Sequence, residues 1–227
     1  MKSFLLTLRR AALVAGLVLS TAIAVSAADP VASADWSAAM AEFAAQDATA
    51  PSAPGCVLFL GSSSIRMWKT LKEDFPGVPV VNRGFGGSQI ADAIVHFDRL
   101  VLPHHPRLIV FYSGTNDVAA GKSPEQVVQD FELFCAKVHG VRPETKILFV
   151  SLQYAPSRWA LREKMAAANA EIAKFCAADP RRSFVDTNPG MLAASGAPDE
   201  TLYSADRLHM AAGGYAVWTK LLLPLVK

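Results

Sequence analysis

The 227-residue chain is 52% hydrophobic and 19% charged, and its 22 Lys and Arg residues nearly balance its 20 Asp and Glu residues. The resulting formal net charge of +2 excludes the strongly basic field expected of a nucleic-acid-binding protein. Three cysteines are far fewer than a disulfide-framed scaffold needs, so we expect the hydrophobic core to hold the fold.

The first 27 residues have the pattern of a signal peptide. Three basic residues precede an apolar run over residues 11–25, which closes in small residues at 25–27. A retained membrane anchor is the alternative, but the run is shorter than the roughly 20 residues of a spanning helix. We therefore expect cleavage before Ala28, export to the periplasm or the extracellular space, and no stable membrane insertion afterwards. Losing these three positive charges changes the formal net charge from +2 to −1.

Residues 28–54 are expected to form a short helix and a linker ahead of the main domain. Trp36, Met40 and Phe43 recur at helical spacing, and the Pro- and Ala-rich residues 48–54 then break the pattern. The main domain is predicted to cover residues 55–227.

Within this domain, apolar runs that predict strands alternate with amphipathic stretches that predict helices. The strands are expected at residues 56–60, 78–81, 108–112, 147–152 and 184–185. The amphipathic stretches cover residues 65–75, 89–102, a segment that begins at Ser123, 161–177 and 211–223. Continuous apolar strands favour a parallel sheet covered on both faces. The expected fold class is α/β, a three-layer α/β/α sandwich around a mostly parallel five-stranded sheet.

Ligands of such sheets bind at the carboxyl ends of the strands, so the residues that follow each strand are candidates for a site. The first strand ends in Gly61-Ser62-Ser63-Ser64 and runs into a helical stretch. A serine on such a turn is an exposed nucleophile whose N–H lies near a helix start. The alternative is that these serines only cap the helix.

The second and third strands are followed by residues suited to binding an oxyanion. Asn82 to Ser88 contains three glycines that let the backbone approach a ligand, although a plain tight turn is equally compatible. A dinucleotide-binding fingerprint is disfavoured because its third glycine falls on Gln89. After the third strand, the Asn116 amide could donate to an oxyanion or serve a turn.

Asp206 and His209 precede the last helical stretch. A carboxylate three residues before a histidine can hold one ring nitrogen while the other nitrogen faces a nucleophile. Alone, such a pair is also typical of an ordinary surface contact.

Taken together and in this order, these segments resemble the conserved blocks of the SGNH (GDSL-like) hydrolase family, from about Val57 to Tyr215. The resemblance implies a flavodoxin-like fold and a catalytic triad of Ser63, Asp206 and His209. It also implies an oxyanion hole formed by Ser63, Gly87 and Asn116. Ser62 stands where this family usually has an aspartate that is not part of the triad. The strings at 61–68 and 82–87 look like the small bacterial branch related to platelet-activating-factor acetylhydrolases.

The resemblance implies a serine esterase that hydrolyses carboxylic esters by acyl transfer, with a small-molecule, lipid or sugar ester as substrate. Three alternatives remain open on the same scaffold. They are an acyltransferase, a polysaccharide O-deacetylase, and a non-catalytic module that binds carbohydrate or the cell envelope. The acyl length, the alcohol and the oligomeric state are not readable from the sequence.

We expect no cofactor and no metal, because His104 and His105 lack Cys, Asp or Glu companions at ligand spacing. Cys135 and Cys176 lie on apolar stripes of two helices, and either a disulfide or two buried thiols would fit. Tyr154, Trp159 and Tyr203 are candidates for the rim of the substrate pocket or for packing.

Overall fold

The computed structural model describes residues 30–227, so the predicted leader at residues 1–27 lies outside the described residues. Five parallel strands form one sheet in the order β2-β1-β3-β4-β5. They are β1 (Val57–Gly61), β2 (Val80–Gly84), β3 (Leu108–Tyr112), β4 (Lys146–Val150) and β5 (Arg182–Val185). The α/β fold class with a five-stranded central sheet is confirmed.

The helices cover both faces and the carboxyl edge of this sheet. They are α1 (Ser37–Thr49), α2 (Ser63–Arg66), α3 (Leu71–Asp74), α4 (Ile90–Val95), α5 (Phe97–Leu100), α6 (Thr115–Ala119), α7 (Pro124–Val141), α8 (Arg162–Ala177) and α9 (Ala212–Val226). Short 3-10 turns lie at Leu102–His104, Pro156–Leu161, Asn188–Met191 and Glu200–Leu202.

Side chains alternate between two cores because successive residues of a strand point to opposite faces. On β3, Ile109 and Phe111 join the core beneath α1, α4, α5, α7 and α8. Leu108, Val110 and Tyr112 face the other way, toward α2, α3 and α9. Every residue of β1 and β3 is buried, which explains their continuous apolar sequences.

Three strands begin or end elsewhere than their apolar runs predicted, among them β5, which starts at Arg182 instead of residue 184. β2 starts at Val80 and continues through the polar Asn82 and Arg83 to Gly84, because Arg83 is a buried cation that pairs with Asp47 of α1. β4 ends at Val150, before the predicted end at residue 152. The Asn169 side chain accepts from the Leu152 N–H at 2.7 Å and donates to its carbonyl at 3.0 Å, in place of a strand neighbour.

Two predicted helical stretches are interrupted. Residues 65–75 contain only α2 and α3, and between them the buried Trp68 donates its indole N–H to Asp74 at 2.6 Å. Residues 89–102 divide into α4 and α5 at His96, whose backbone leaves the helical conformation at φ −94° and ψ 18°. Helix propensity alone does not predict either break.

All three cysteines are buried and carry free thiols, so Cys135 and Cys176 do not form the disulfide considered from the sequence. Among the described helices, none combines the length and the apolar character needed to cross a membrane.

Candidate active site

Ser63 begins α2 directly after β1, at the carboxyl edge of the sheet. Two close approaches shape this turn. A Cβ atom on Gly61 would lie 1.9 Å from the Tyr112 carbonyl oxygen, and one on Gly84 would lie 2.1 Å from the Arg66 nitrogen. Only glycine allows the strands and α2 to pack this tightly. The sheet order reverses between β1 and β3, so Ser63 lies at the crevice where ligands of such sheets bind.

His209 links Ser63 to Asp206. The Ser63 hydroxyl lies 2.8 Å from His209 Nε2, and His209 Nδ1 lies 2.5 Å from Asp206 Oδ2. A carboxylate only accepts hydrogen bonds, so Nδ1 donates its proton to Asp206 and Nε2 accepts from Ser63. The structure therefore brings together the three residues predicted to form the triad, although 146 positions separate Ser63 from His209.

The Asp206 carboxylate is fixed by several donors although its side chain is about half exposed. Its Oδ1 accepts from the backbone N–H groups of Leu208 and His209, each at 2.9 Å, and from the Ser204 hydroxyl at 2.8 Å. Hydrogen bonds from the His209 side chain and backbone, joined by those of Leu208 and Ser204, hold the pKa of Asp206 well below its usual range. Asp206 therefore stays ionised opposite the imidazole.

Asn116 lies in α6, just after β3, and its side chain is held at both ends. Its Nδ2 donates to the Ser88 carbonyl at 2.9 Å, and its Oδ1 accepts from Arg158 Nη2 at 2.8 Å. These two bonds fix which way the amide faces. Since Nδ2 carries two protons, one donor remains beyond the bond to Ser88.

Gly87 is linked to the other site residues through its neighbour. It has a φ of +87°, a left-handed conformation that favours glycine, and faces the Trp36 indole. Asn116 binds the adjacent Ser88 carbonyl, but Gly87 itself does not line the cleft at Ser63. Within residues 30–227, the N–H groups of Ser63 and Gly87 donate to no other protein group.

A narrow cleft of about 10 Å³ opens at these residues. It is lined by Ser62, Ser63, Ser64, Tyr112, Thr115, Asn116, Gln153, Ala155, Arg158, Leu208 and His209. None of the three aromatic candidates for its rim is part of the lining. Tyr203 is buried, and its hydroxyl accepts a hydrogen bond from the Gln153 amide at 3.0 Å.

Arg158 and Gln153 in this cleft were not predicted as site residues. Both follow β4, the strand after which the sequence offered no recognisable motif. A cationic residue in a loop at the carboxyl edge of the sheet was the only signal available for Arg158. No group of three or more His, Cys, Asp or Glu side chains in the described part of the chain is placed to hold a metal ion.

Known proteins share both this fold and the sequence around the site. The model of the GDSL-like lipase/acylhydrolase family matches residues 60–217, which include Ser63, Gly87, Asn116, Asp206 and His209. The chain belongs to this family. As a GDSL-like acylhydrolase it is an enzyme that acts on ester bonds, and the resemblance to SGNH hydrolases is confirmed.

Relatives of this acylhydrolase include the platelet-activating factor acetylhydrolase IB subunit alpha1 of Pongo abelii. It is 26% identical over 166 residues, which are 70% of either chain. A GDSL-like lipase from Bacteroides thetaiotaomicron superposes with a TM-score of 0.71 at 21% identity, covering 82% of this chain and 96% of its own. A structure from Streptococcus pneumonia that is described as a platelet activating factor superposes with a TM-score of 0.75 at 20% identity. The match covers 84% of this chain and 92% of the other. These two structures share the fold.

Proposed function

We propose that this acylhydrolase is a serine esterase that removes short acyl groups, with Ser63 as nucleophile, His209 as general base and Asp206 as the residue that orients it. The observation that carries the proposal is the unbroken chain of contacts from the Ser63 hydroxyl through both ring nitrogens of His209 to an ionised carboxylate. This is the arrangement that nucleophilic acyl transfer requires of a serine.

In the proposed first step, Ser63 Oγ attacks the ester carbonyl carbon while His209 Nε2 takes the hydroxyl proton. Asp206 stabilises the imidazolium that forms. The C–O bond to the alcohol then breaks, and His209 returns the proton to the departing oxygen. In the second step a water molecule, deprotonated by His209, attacks the acyl-enzyme and releases the acid together with the free Ser63 hydroxyl.

The proposed oxyanion hole consists of the Ser63 N–H, the Gly87 N–H and the Asn116 amide. Two observations support this choice, although Gly87 is not itself among the residues that line the cleft. The two backbone N–H groups have no other acceptor among the described residues, and the spare proton on Asn116 Nδ2 is unused. Arg158 holds Oδ1 of Asn116, so the amide cannot present its oxygen in place of its donor without losing that bond. Fixed donors of this kind stabilise charge that develops in the transition state.

The size of the cleft supports a short acyl group. A cavity of about 10 Å³ holds roughly one water molecule. Acetyl needs the least additional room of the common acyl groups, so a cleft this narrow favours it over a longer chain. On esters of one alcohol with graded acyl length, we expect kcat/KM to be highest for acetate and to fall steadily from butyrate upward. A maximum at octanoate or longer would contradict a short-acyl esterase.

Three serine variants test the proposed nucleophile. Ser63→Ala should lower kcat for acetate esters at least about 10³-fold, because only substrate binding and the oxyanion hole would then contribute to the rate. Ser62→Ala and Ser64→Ala are matched controls on either side, and they should keep most of the activity since only Ser63 contacts His209. Retention of activity by Ser63→Ala, with a wild-type thermal midpoint, would reject the proposal.

A further inference from the structure

Arg158 is the only Lys or Arg side chain among the residues that line the cleft with Ser63 and His209. It lies in the 3-10 turn at Pro156–Leu161, which follows β4 at the carboxyl edge of the sheet. The side chain is partly exposed, so it is accessible to a molecule that enters the cleft. The acyl-transfer mechanism above does not use its charge.

No acidic side chain in the described part of the chain neutralises Arg158. The lining of the cleft contains no Asp or Glu. In the loops ahead of α9, Asp206 binds His209, and Glu200 pairs with Arg207 at 2.5 Å. One N–H of the guanidinium donates to the neutral Asn116 oxygen. A guanidinium has five N–H donors, so others remain available to a bound anion.

An unpaired, partly buried cation costs free energy, and a bound anion lowers that cost. Burial lowers the pKa of Arg158 from its ordinary value, as expected of a charge without a counter-ion. A guanidinium also matches the planar geometry of carboxylate and phosphate groups, which can accept two of its hydrogen bonds at once. A substrate with such a group would supply the missing counter-ion.

We propose that the natural substrate is an ester whose alcohol portion carries a carboxylate or phosphate close to the ester bond, and that this anion pairs with Arg158. We place the anion on the alcohol because the proposed acyl group is a short, uncharged one. Arg158 is thus a residue that determines specificity for anionic alcohols. This inference rests on the proposed esterase function and names the class of its substrate.

Two matched pairs of acetate esters test the pairing. The carboxylate pair is O-acetyl-lactate and its methyl ester, and the phosphate pair is 1-acetylglycerol 3-phosphate and 1-acetylglycerol. For the wild-type chain we expect kcat/KM about ten-fold or more higher for the anionic member of at least one pair. The pair that shows the preference identifies the anion as a carboxylate or a phosphate.

Arg158→Met should abolish this preference, and Arg158→Lys should retain part of it because the charge remains while the fork is lost. Arg158 also holds Asn116, so Arg158→Met will slow the hydrolysis of neutral esters as well. This loss affects both members of a pair equally and therefore cancels in the ratio of their kcat/KM values. Arg162→Met is the matched control, since that guanidinium stacks on Trp159 and is not part of the cleft lining. The control should keep the wild-type ratio.

Product inhibition provides a second measurement on the same variants. Lactate or glycerol 3-phosphate should inhibit p-nitrophenyl acetate hydrolysis competitively, with an inhibition constant about ten-fold or more higher in Arg158→Met. Equal rates for both members of both pairs, or an equal loss for anionic and neutral esters in Arg158→Met, would overturn the inference. Such a result would leave the esterase function intact as long as hydrolysis still depends on Ser63, which separates the two failures.

Discussion

At the scale of single residues, Asn116 is the proposed oxyanion donor whose side chain is held at both ends. Arg158 and the Ser88 carbonyl hold the two ends of its amide at 2.8 and 2.9 Å. The same bonds are compatible with an oxyanion donor and with a residue that merely joins loops. The two roles differ in kinetics, because an oxyanion bond strengthens only as charge develops on the substrate.

We predict that Asn116→Ala lowers kcat by on the order of 10²–10³ and leaves KM nearly unchanged. Steady-state kinetics on an acetate ester test the catalytic role, and the thermal midpoint of the variant tests the structural role. Asn169→Ala is the control, because that amide also makes two bonds, to the Leu152 backbone, and is not part of the cleft lining. It should lower the midpoint and leave kcat near wild type. A wild-type kcat for Asn116→Ala would remove Asn116 from the oxyanion hole.

Arg158 shows what a sequence does not reveal at this scale. Ser63, Asp206 and His209 stand in recognisable patterns, and the structure brings them into contact. Arg158 stands in no pattern, and its proposed role depends on the absence of acidic neighbours in three dimensions. A charge whose partners come from distant segments becomes apparent only after folding.

At the scale of elements, the packing of α1 against the sheet buries an unusual set of polar groups. Arg83 of β2 pairs with Asp47 of α1, and its guanidinium stacks on the Phe43 ring at 5.0 Å. His104, in the 3-10 turn before β3, lies beneath them at 1% exposure. Its Nδ1 lies 2.9 Å from the Ser52 hydroxyl, and its Nε2 lies 3.8 Å from Asp47.

This packing predicts how the stability of the fold depends on pH. Burial and the Arg83 charge lower the pKa of His104 to about 4, against the opposing effect of Asp47. In the unfolded chain a histidine titrates at about 6.5. Between these two values the unfolded chain binds more protons, so the free energy of unfolding falls as the pH drops from 6.5 toward 4.

We therefore expect the thermal midpoint of the wild-type chain to fall between pH 7 and pH 4. His104→Gln cannot take up this proton, so its midpoint should fall less over the same interval. Midpoints of both chains measured at several pH values in one buffer series provide the comparison. An equal fall in both would show that His104 does not contribute to the acid sensitivity.

Element boundaries were predicted well where apolar runs alone decide them, and less well where polar contacts do. β1 and β3 lie within one residue of the apolar runs that predicted them. β2 extends through the polar Arg83 because Asp47, 36 positions earlier, compensates its charge. The amphipathic stretch at 65–75 is not one helix, because Trp68 turns into the core between α2 and α3.

At the scale of the whole molecule, packing on the two faces of the sheet holds the fold. Aromatic rings pack against one another in both cores. Phe111 stacks on Phe134 at 4.4 Å on one face, and Tyr112 meets Trp218 edge-on at 4.7 Å on the other. The continuous apolar strands were sufficient to predict this architecture, but not the arrangement of the loops that surround the cleft, where periodicity is absent.

The absence of crosslinks leads to a prediction about thiols. Burial raises the pKa of the Cys176 thiol to about 11 and that of Cys135 even further, which makes both unreactive in the folded chain. Thiol titration of the denatured, unreduced protein should count three free thiols, and a reductant should leave the thermal midpoint unchanged. A count of one would instead indicate a disulfide between Cys135 and Cys176.

Covalent labelling is the sharpest test of Ser63 as the proposed nucleophile of an ester hydrolase. A fluorophosphonate reacts with an activated serine hydroxyl and leaves a stable adduct that peptide mapping can locate. We predict one adduct per chain, on Ser63, and loss of activity in proportion to labelling. Replacement of His209 by Ala should prevent the reaction. An adduct on Ser62 or Ser64, or complete inactivation with Ser63 unmodified, would contradict the claim.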